Sequence, residues 1–499
     1  MATLKELRDE RLRKLSDIRT LGVNPFPADS YRTNNISEIT GGFKKFAGKK
    51  VTVAGRIVGI RKFGQIAFVV VRDFSGEIQL FLKKGDVAKF DSEKNFGMEN
   101  LSLLDSGDFI EATGEIIKTQ TGEISVAVKT FRLLTKSLRQ LPVSLTNKEE
   151  RLRRRYVDMA VNKDIQDRFV RRSKFWQATR DFLNKDEFIE INIPVLEHTT
   201  GGADANPFVT HMDALDQDFY LRISHELPLK RLLGAGYEKV YDIGVRFRNE
   251  NYSDEHLPEH IAMEWYAAYW DWQDGMKFME KLYKHVLKET FGKLKFEVNG
   301  IEVDMGAKWE VWDYSEVIKK HYDIDVFSTT LEEVKKVLKE NGLEVEKTEN
   351  LARGIDKLWK KIRATVAGPV WLTNVPLFIS PLSKANSDGK TTQRFQAVIA
   401  GSELCNGFSE LNDPIDQLNR FLEQQKMRDA GDDEAMMLDI DFVEMLEYGM
   451  PPACGLGFSE RVFWIFEGVS AREGVPFPQL RHEIDEVTKG IYPDSFKES

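Results

Sequence analysis

Between residues 4 and 20, Leu4, Leu7, Leu12, Leu15 and Ile18 recur at helical spacing among Lys, Arg, Asp and Glu, which predicts an amphipathic surface helix. Gly22-Val23-Asn24-Pro25 ends it. From residue 51 the period shortens. Val51-Thr52-Val53-Ala54-Gly55-Arg56-Ile57, Ile66-Ala67-Phe68-Val69-Val70-Val71 and Glu77-Ile78-Gln79-Leu80-Phe81-Leu82 follow at short intervals. Phe109-Ile110-Glu111-Ala112 and Glu123-Ile124-Ser125-Val126-Ala127-Val128 come later, each after a glycine-containing turn. Five short strands with glycine at the corners predict a small closed Greek-key barrel of the OB type. Such a barrel presents one strand face and its loops to oligonucleotides or sugars.

The linker Leu138-Arg139-Gln140-Leu141-Pro142 and a basic run at 151–155 follow. Beyond them, helical and strand patterns alternate to the end with no clean boundary, and 330–364 reads as a helical insertion rich in Lys and Glu. The expected division is a helix and lead-in over 1–48, a barrel over 49–137, a linker over 138–155 and one large domain over 156–499.

Composition narrows the class. With 499 residues, 41% hydrophobic and 30% charged, the chain can bury a large core and is not collagen-like, disulfide-stapled or mainly disordered. Two cysteines argue for a reducing compartment and against structural zinc. No apolar stretch approaches the length that spans a bilayer, and a charged N-terminus argues against a secretory signal, so a cytoplasmic protein is expected. Residues 1–155 hold 29 Lys+Arg against 19 Asp+Glu, a charge of +10; the remainder holds 42 against 61, a charge of −19. A basic front and an acidic back suggest nucleic acid at the first domain; chance solvated charge is the plain alternative.

Four patches in the large domain could carry chemistry. Lys174-Phe175-Trp176-Gln177-Ala178-Thr179-Arg180 leads to Phe188-Ile189-Glu190-Ile191-Asn192-Ile193-Pro194, for which a packed helix and an edge strand closed by proline suffice. Arg246-Phe247-Arg248-Asn249-Glu250 is followed by a polar loop and His256-Leu257-Pro258-Glu259-His260. Arg248 and Glu250 at i, i+2 would share a strand face, where they could grip a phosphate and an amine or form a surface ion pair. In Gly401-Ser402-Glu403-Leu404-Cys405-Asn406-Gly407-Phe408-Ser409-Glu410, alternation sets Glu403 and Cys405 on one face, with a bulge expected at Gly407. Its carboxylates require partners, either hydrogen bonds or a cation, whether Mg²⁺ or an ammonium group. Gly455-Leu456-Gly457-Phe458-Ser459-Glu460-Arg461 leads into an apolar helix. Arg461 sits near the helix start, which favours a nearby anion such as a triphosphate. No histidine pair has metal-site company, and neither a P-loop nor a GxGxxG turn is present.

Taken in this order, the patches resemble the signature of class II aminoacyl-tRNA synthetases, and within them the lysyl-tRNA synthetase family. Gly201-Gly202-Ala203, Tyr220-Leu221-Arg222-Ile223-Ser224-His225-Glu226-Leu227-Pro228-Leu229-Lys230-Arg231-Leu232, Asn406-Gly407-Phe408-Ser409-Glu410-Leu411-Asn412-Asp413 and Asp429-Ala430-Gly431-Asp432-Asp433-Glu434-Ala435 carry the likeness. It covers almost the whole chain.

The resemblance implies an α+β protein: an N-terminal OB-fold anticodon-binding domain, then a class II catalytic domain on an antiparallel sheet flanked by helices. It implies a homodimer formed through the segment ending at Pro194. The implied reaction joins lysine and ATP into lysyl-adenylate, then charges the 3′ end of tRNA(Lys). By the same resemblance Arg248 holds the α-phosphate and the lysine carboxylate, while Glu250, His256, His260 and Gly457 border the nucleotide. Arg461 clamps the far phosphate, and Glu403 ligates Mg²⁺. Gly201 and Glu226 meet the α-amino group, and Glu410 with Tyr266 meets the ε-ammonium. Asn406 lies at the carboxylate and Phe408 on the stem. In the barrel, Arg61, Phe68, Gln79 and Glu123 would read the anticodon, an aromatic face stacking an unpaired base.

Three positions depart from the family pattern. His260 stands where a phenylalanine stacks adenine, Gln396 where a second Mg²⁺ carboxylate is expected, and the third motif is one residue off its spacing. These departures motivate one alternative, a catalytically silent tRNA-binding paralogue. Another is a synthetase for Asp or Asn, which would want positive charge or an amide where Glu410 supplies negative charge.

Overall fold

The computed structural model describes residues 3–203, 205–250, 253, 256–346, 350–431 and 435–496. Two compact units emerge, Met1–Thr146 with Arg481–Ser499, and Asn147–Leu480.

In the first unit, strands β1 (Lys50–Phe63), β2 (Ile66–Arg72), β3 (Glu77–Lys83), β4 (Phe109–Lys118) and β5 (Ile124–Thr135) close into a barrel in the order β1-β2-β3-β5-β4. Period-2 alternation sends Ala67, Val69 and Val71 of β2 and Ile78, Leu80 and Leu82 of β3 into its core. A helix, Leu4–Thr20, carries Ile18 into the same core.

Two expected boundaries move. Residues from Arg481 were expected in the large domain but group with the first unit. There the helix Glu486–Ile491 packs on Leu4–Thr20, and the guanidiniums of Arg8 and Arg139 lie 5.4 and 5.8 Å from the Tyr492 ring. The segment's polar start, Arg481-His482-Glu483, offers the large core nothing to bury. The run 151–155, expected in the linker, belongs instead to the second unit. Arg151 and Arg155 both pair with buried Asp158, each at 2.9 Å.

The second unit contains β6 (Ile189–Glu190), β7 (Leu196–Glu197), β8 (Val209–Met212), β9 (Gln217–Leu221), β10 (Lys239–Phe247), β11 (Glu259–Ala268), β12 (Lys295–Val298) and β13 (Ile301–Asp304). It continues with β14 (Glu310–Asp313), β15 (Val370–Thr373), β16 (Arg394–Ile399), β17 (Ser402–Ser409) and β18 (Ala453–Ser459). Among the described residues one eight-stranded sheet runs β14-β15-β16-β17-β18-β11-β10-β6. It is antiparallel except at its edges, where β14/β15 and β10/β6 are parallel. The edge strand expected before Pro194 is thus only two residues long.

Each strand of this sheet divides its residues between two faces. On one face Tyr241, Trp265, Leu456 and Phe458 meet Phe175 and Trp176 of helix Lys163–Lys185 and Met279 and Leu282 of helix Trp272–Phe291. The opposite face collects the polar residues of the same strands. Between β14 and β15 the chain forms helices Leu331–Glu340 and Leu351–Arg363, which pack Val334, Leu338, Ile355 and Trp359 against Val370 and Leu372.

Candidate active site

A cavity of about 560 Å³ lies on that polar face. Twelve of the residues singled out above line it: Glu226, Arg248, Glu250, His256, His260 and Tyr266 from one side, Gln396, Glu403, Asn406, Phe408, Gly457 and Arg461 from the other. Gly201 and Glu410 do not. Gly201 is packed against Leu227, and its neighbour Gly202, at φ 83°, lines the cavity instead. Asp432, Asp433 and Glu434 of the quoted motif lie outside the described residues.

The bulge in β17 is not at Gly407. The ladder with β16 pairs Ala397 with Cys405 and Val398 with Glu403, so Leu404 is the extra residue. One extra residue reverses the parity of everything before it. Glu403, which plain alternation pairs with Cys405, therefore joins Asn406 and Phe408 on the cavity face, while Cys405 points into the core beneath.

Arg248 and Glu250 do not share a strand, because β10 stops at Phe247. The Arg248 N–H donates to the Pro258 carbonyl, at 2.9 Å, and its side-chain Nε is buried without a hydrogen-bond partner among the described residues. A buried guanidinium N–H left open in this way suits an anion. Glu250 and His256 are exposed at the cavity rim, with Ser253 Oγ 2.9 Å from His256 Nδ1.

The neighbouring pair explains His260. Arg246 lies directly across the ladder from His260, and its Nε donates to His260 Nε2 at 2.9 Å. His260 Nδ1 faces the Leu257 carbonyl at 3.3 Å. Burial, with Arg246 and Arg248 beside it, holds the imidazole well below 6.5 and so neutral, as an acceptor must be. A phenylalanine could not accept this bond. Burial, then Arg248, also brings Arg246 down to about 9.

At the other end two carboxylates hold one ammonium, and a third, Glu264, lies nearby on partners of its own. Lys230 is fully buried; its Nζ lies 2.5 Å from Glu226 Oε1 and pairs also with Glu410. Burial pushes Glu226 up to about 7 against the pull of Lys230, and drives Glu410 well above its usual range. Burial alone would lower Lys230, but the two carboxylates keep it raised and charged. Glu264 accepts from Ser224 Oγ (3.0 Å), the His225 N–H (3.1 Å) and the Tyr266 hydroxyl (2.9 Å). Burial opposes its charge, yet His225 and Arg246 hold it at about 2. The end of the cavity near Tyr266 thus gathers three buried carboxyl groups, of which Glu264 is the one held ionised while Glu226 and Glu410 share the ammonium of Lys230.

The metal position is not of the expected kind. Glu403 Oε1 accepts from Trp359 Nε1 at 2.7 Å and faces Arg363 Nη1 at 3.0 Å, while Oε2 accepts from Gln396 Nε2 at 3.1 Å. Burial would raise this carboxyl, but Arg363 and the Trp359 N–H hold it low. Both oxygens are taken and the partner from the neighbouring strand is the amide of Gln396 rather than a carboxylate, so Glu403 with Gln396 does not fit a paired-carboxylate magnesium site. Among the described residues no group of three or more His, Cys, Asp or Glu could hold a metal. Arg461, at the start of helix Arg461–Glu467, reaches Ser402 Oγ at 3.4 Å.

In the first unit, Phe68 is not a barrel-core residue. Alternation turns it outward, where its ring lies 6.2 Å from Phe63 and 5.4 Å from Phe81. Arg61 is opposite Phe68 on β1 and exposed. Gln79 donates to Ser125 Oγ at 3.0 Å, and exposed Glu123 lies two residues from that serine.

Sequence reasoning missed Arg246, Glu264, Lys230 and Arg363. The first three were within reach: Arg246 is two residues before Arg248, Glu264 two before Tyr266, and Lys230 four after Glu226 on a helix. Nothing local marks Arg363.

The family described as tRNA synthetases class II (D, K and N) matches residues 147–481, and an OB-fold nucleic acid binding domain matches 51–134. The lysine–tRNA ligase of Fervidobacterium nodosum is 39% identical over 493 residues, covering 97% of this chain and 95% of that protein. That of Thermotoga maritima is 38% identical over 99% of this chain and 100% of its own length. The lysine–tRNA ligase of Thermoanaerobacter pseudethanolicus is 40% identical over 97% of each. Among the described residues no helix is long and apolar enough to cross a membrane.

Proposed function

The chain belongs to the class II tRNA synthetases, and we propose that within this class it is the lysine–tRNA ligase, activating lysine with ATP and transferring it to tRNA(Lys). The observation that carries the reading is a cavity with opposite electrostatic ends: an open arginine N–H at Arg248, and buried carboxyl groups near Tyr266 that outnumber their one ammonium. An amino acid whose side chain ends in an ammonium, joined to a nucleotide phosphate, matches both. An uncharged isostere would bring no cation to an end where three buried carboxyls have only Lys230 among them, a ground for rejection.

Members of the class use ATP as a substrate and, in general, Mg²⁺. In the first step a lysine carboxylate oxygen attacks the α-phosphorus and pyrophosphate leaves. Two anions must approach, so fixed positive charge is the main catalytic requirement. Arg248 bridges the α-phosphate and the lysine carboxylate, and Arg461 holds the pyrophosphate end. Asn406 lies at the carboxylate, Phe408 along the stem, and Glu226 takes the α-amino group. Tyr266 faces the ε-ammonium; Glu410 acts from behind, supplying charge shared with Lys230 rather than direct contact. Adenine lies against His260, whose ring edges are both committed, with Glu250, His256 and Gly457 beside the nucleotide. In the second step the 3′-terminal hydroxyl of the tRNA attacks the lysyl carbonyl carbon and AMP leaves. The outward face of the barrel, with Phe68, Arg61, Gln79 and Glu123, reads the anticodon, and the protein acts as a homodimer through the segment ending at Pro194.

The test is lysine-dependent ATP–pyrophosphate exchange with Asp, Asn and Arg as controls. Exchange with lysine alone is expected; exchange with Asp or Asn, or with no amino acid in folded protein, overturns the reading.

A further inference from the structure

Arg363 ends the helix Leu351–Arg363, outside the cavity wall, yet its guanidinium lies 3.0 Å from the one carboxylate expected to hold a metal. Gln396 is oriented by the same group, since a carboxylate only accepts and the amide must turn its NH₂ toward it, at 3.1 Å. Trp359, from the same helix as Arg363, completes the set. Three donors therefore fill Glu403, one of them a permanent cation. A divalent ion on Glu403 would have to displace these donors, stand beside a like charge and find an amide where a second carboxylate would help. With an amide at Gln396 and a guanidinium at Arg363, this place is two charges more positive than a bare carboxylate pair, the amount a divalent ion would otherwise supply.

We propose that Arg363 is the resident cation at the triphosphate end of the site, a positioning residue that neutralises Glu403 and fixes it beside Ser402 and Arg461 in place of a metal ion held by paired carboxylates. It rests on the ATP reading above. The helical segment between β14 and β15 is thereby part of the activating machinery, and this chain loads one divalent ion fewer with ATP than its paired-carboxylate counterpart.

The experiment counts Mn²⁺ bound to the full-length protein with a non-hydrolysable ATP analogue and lysine, by electron paramagnetic resonance. The double variant R363Q/Q396E, which restores the carboxylate pair and removes the guanidinium, is expected to bind one Mn²⁺ more than the wild type. Q396E alone, with Arg363 still in place, is expected to keep the wild-type count, which also covers the case of a double variant that does not fold. In parallel, R363Q should cost about 10–100-fold in exchange at fixed Mg²⁺, as for residues that orient a ligand from behind, with R363K largely restoring it. Equal counts in wild type and double variant, or an ion gained by Q396E alone, overturn the proposal. Wild-type protein without lysine-dependent exchange overturns the ATP reading instead, so the two failures are distinguishable.

Discussion

The outer face of the barrel and the cavity of the large sheet both present groups for recognition, but they do so by opposite physics. On the barrel, Phe68 lies against Phe63 and Phe81 and otherwise faces outward, and none of the three needs a polar partner to stay there. In the cavity wall and just behind it polar groups hold one another: Lys230 is held by Glu226 and Glu410, Arg246 by His260, Glu403 by Arg363. A stacking surface is thus a set of independent parts, whereas a site of buried charge is a single connected object.

Four changes would break or sharpen this contrast. The largest effect is expected from Lys230→Met, which leaves two buried carboxylates facing each other without their ammonium; losing one member of a buried ionic group costs about 3–5 kcal/mol, read by urea denaturation. A cost as small as that of a surface residue would refute the connected-network view. Arg248→Gln comes next: with its open N–H gone, lysine-dependent exchange is expected to fall on the order of 10²–10³-fold in a protein that still folds. For the barrel, Phe68→Ala is expected to weaken tRNA binding by about 1–3 kcal/mol, the worth of one stacked base. Its salt dependence should not change, since no charge is lost.

The smallest effect belongs to His260→Phe, about 1 kcal/mol for the lost hydrogen bond, with a pH signature. The imidazole is held well below 6.5 in the folded protein, so below that pH the unfolded chain binds the extra proton first. The stability that neutral His260 contributes is present above pH 6.5 and lost as pH falls toward the folded value. Thermal melts of wild type against variant should differ in slope in that window and run parallel above it.

The same contrast governs what could be read from sequence. Barrel strands were legible because one period decides both fold and surface: Ala67, Val69 and Val71 fill a narrow interior, which leaves Phe68 the outside. In the catalytic unit the resemblance brought together Arg248, Asn406, Phe408 and Arg461, but the partners that hold the site escaped it. Arg363 reaches Glu403 across 40 positions of chain, and only packing of a helix core around Trp359 makes that distance short. Strand parity failed at Leu404 because a bulge there needs no glycine, and Gly407 drew attention to itself for another reason: a side chain at that position would collide with Phe395.

Leu404 also makes the active-site strand behave like a reading frame. The single extra residue is a permanent shift by one, and Glu403, just upstream of it, makes sense only because of that shift. Losing one residue here would be a frameshift in space: no charge is removed, yet Glu403 would be delivered to the oily side of the sheet and a core residue to the nucleotide. Losing two residues would restore the frame but shorten the message. Inheritance can therefore exchange the letters of this strand far more freely than it can change their number.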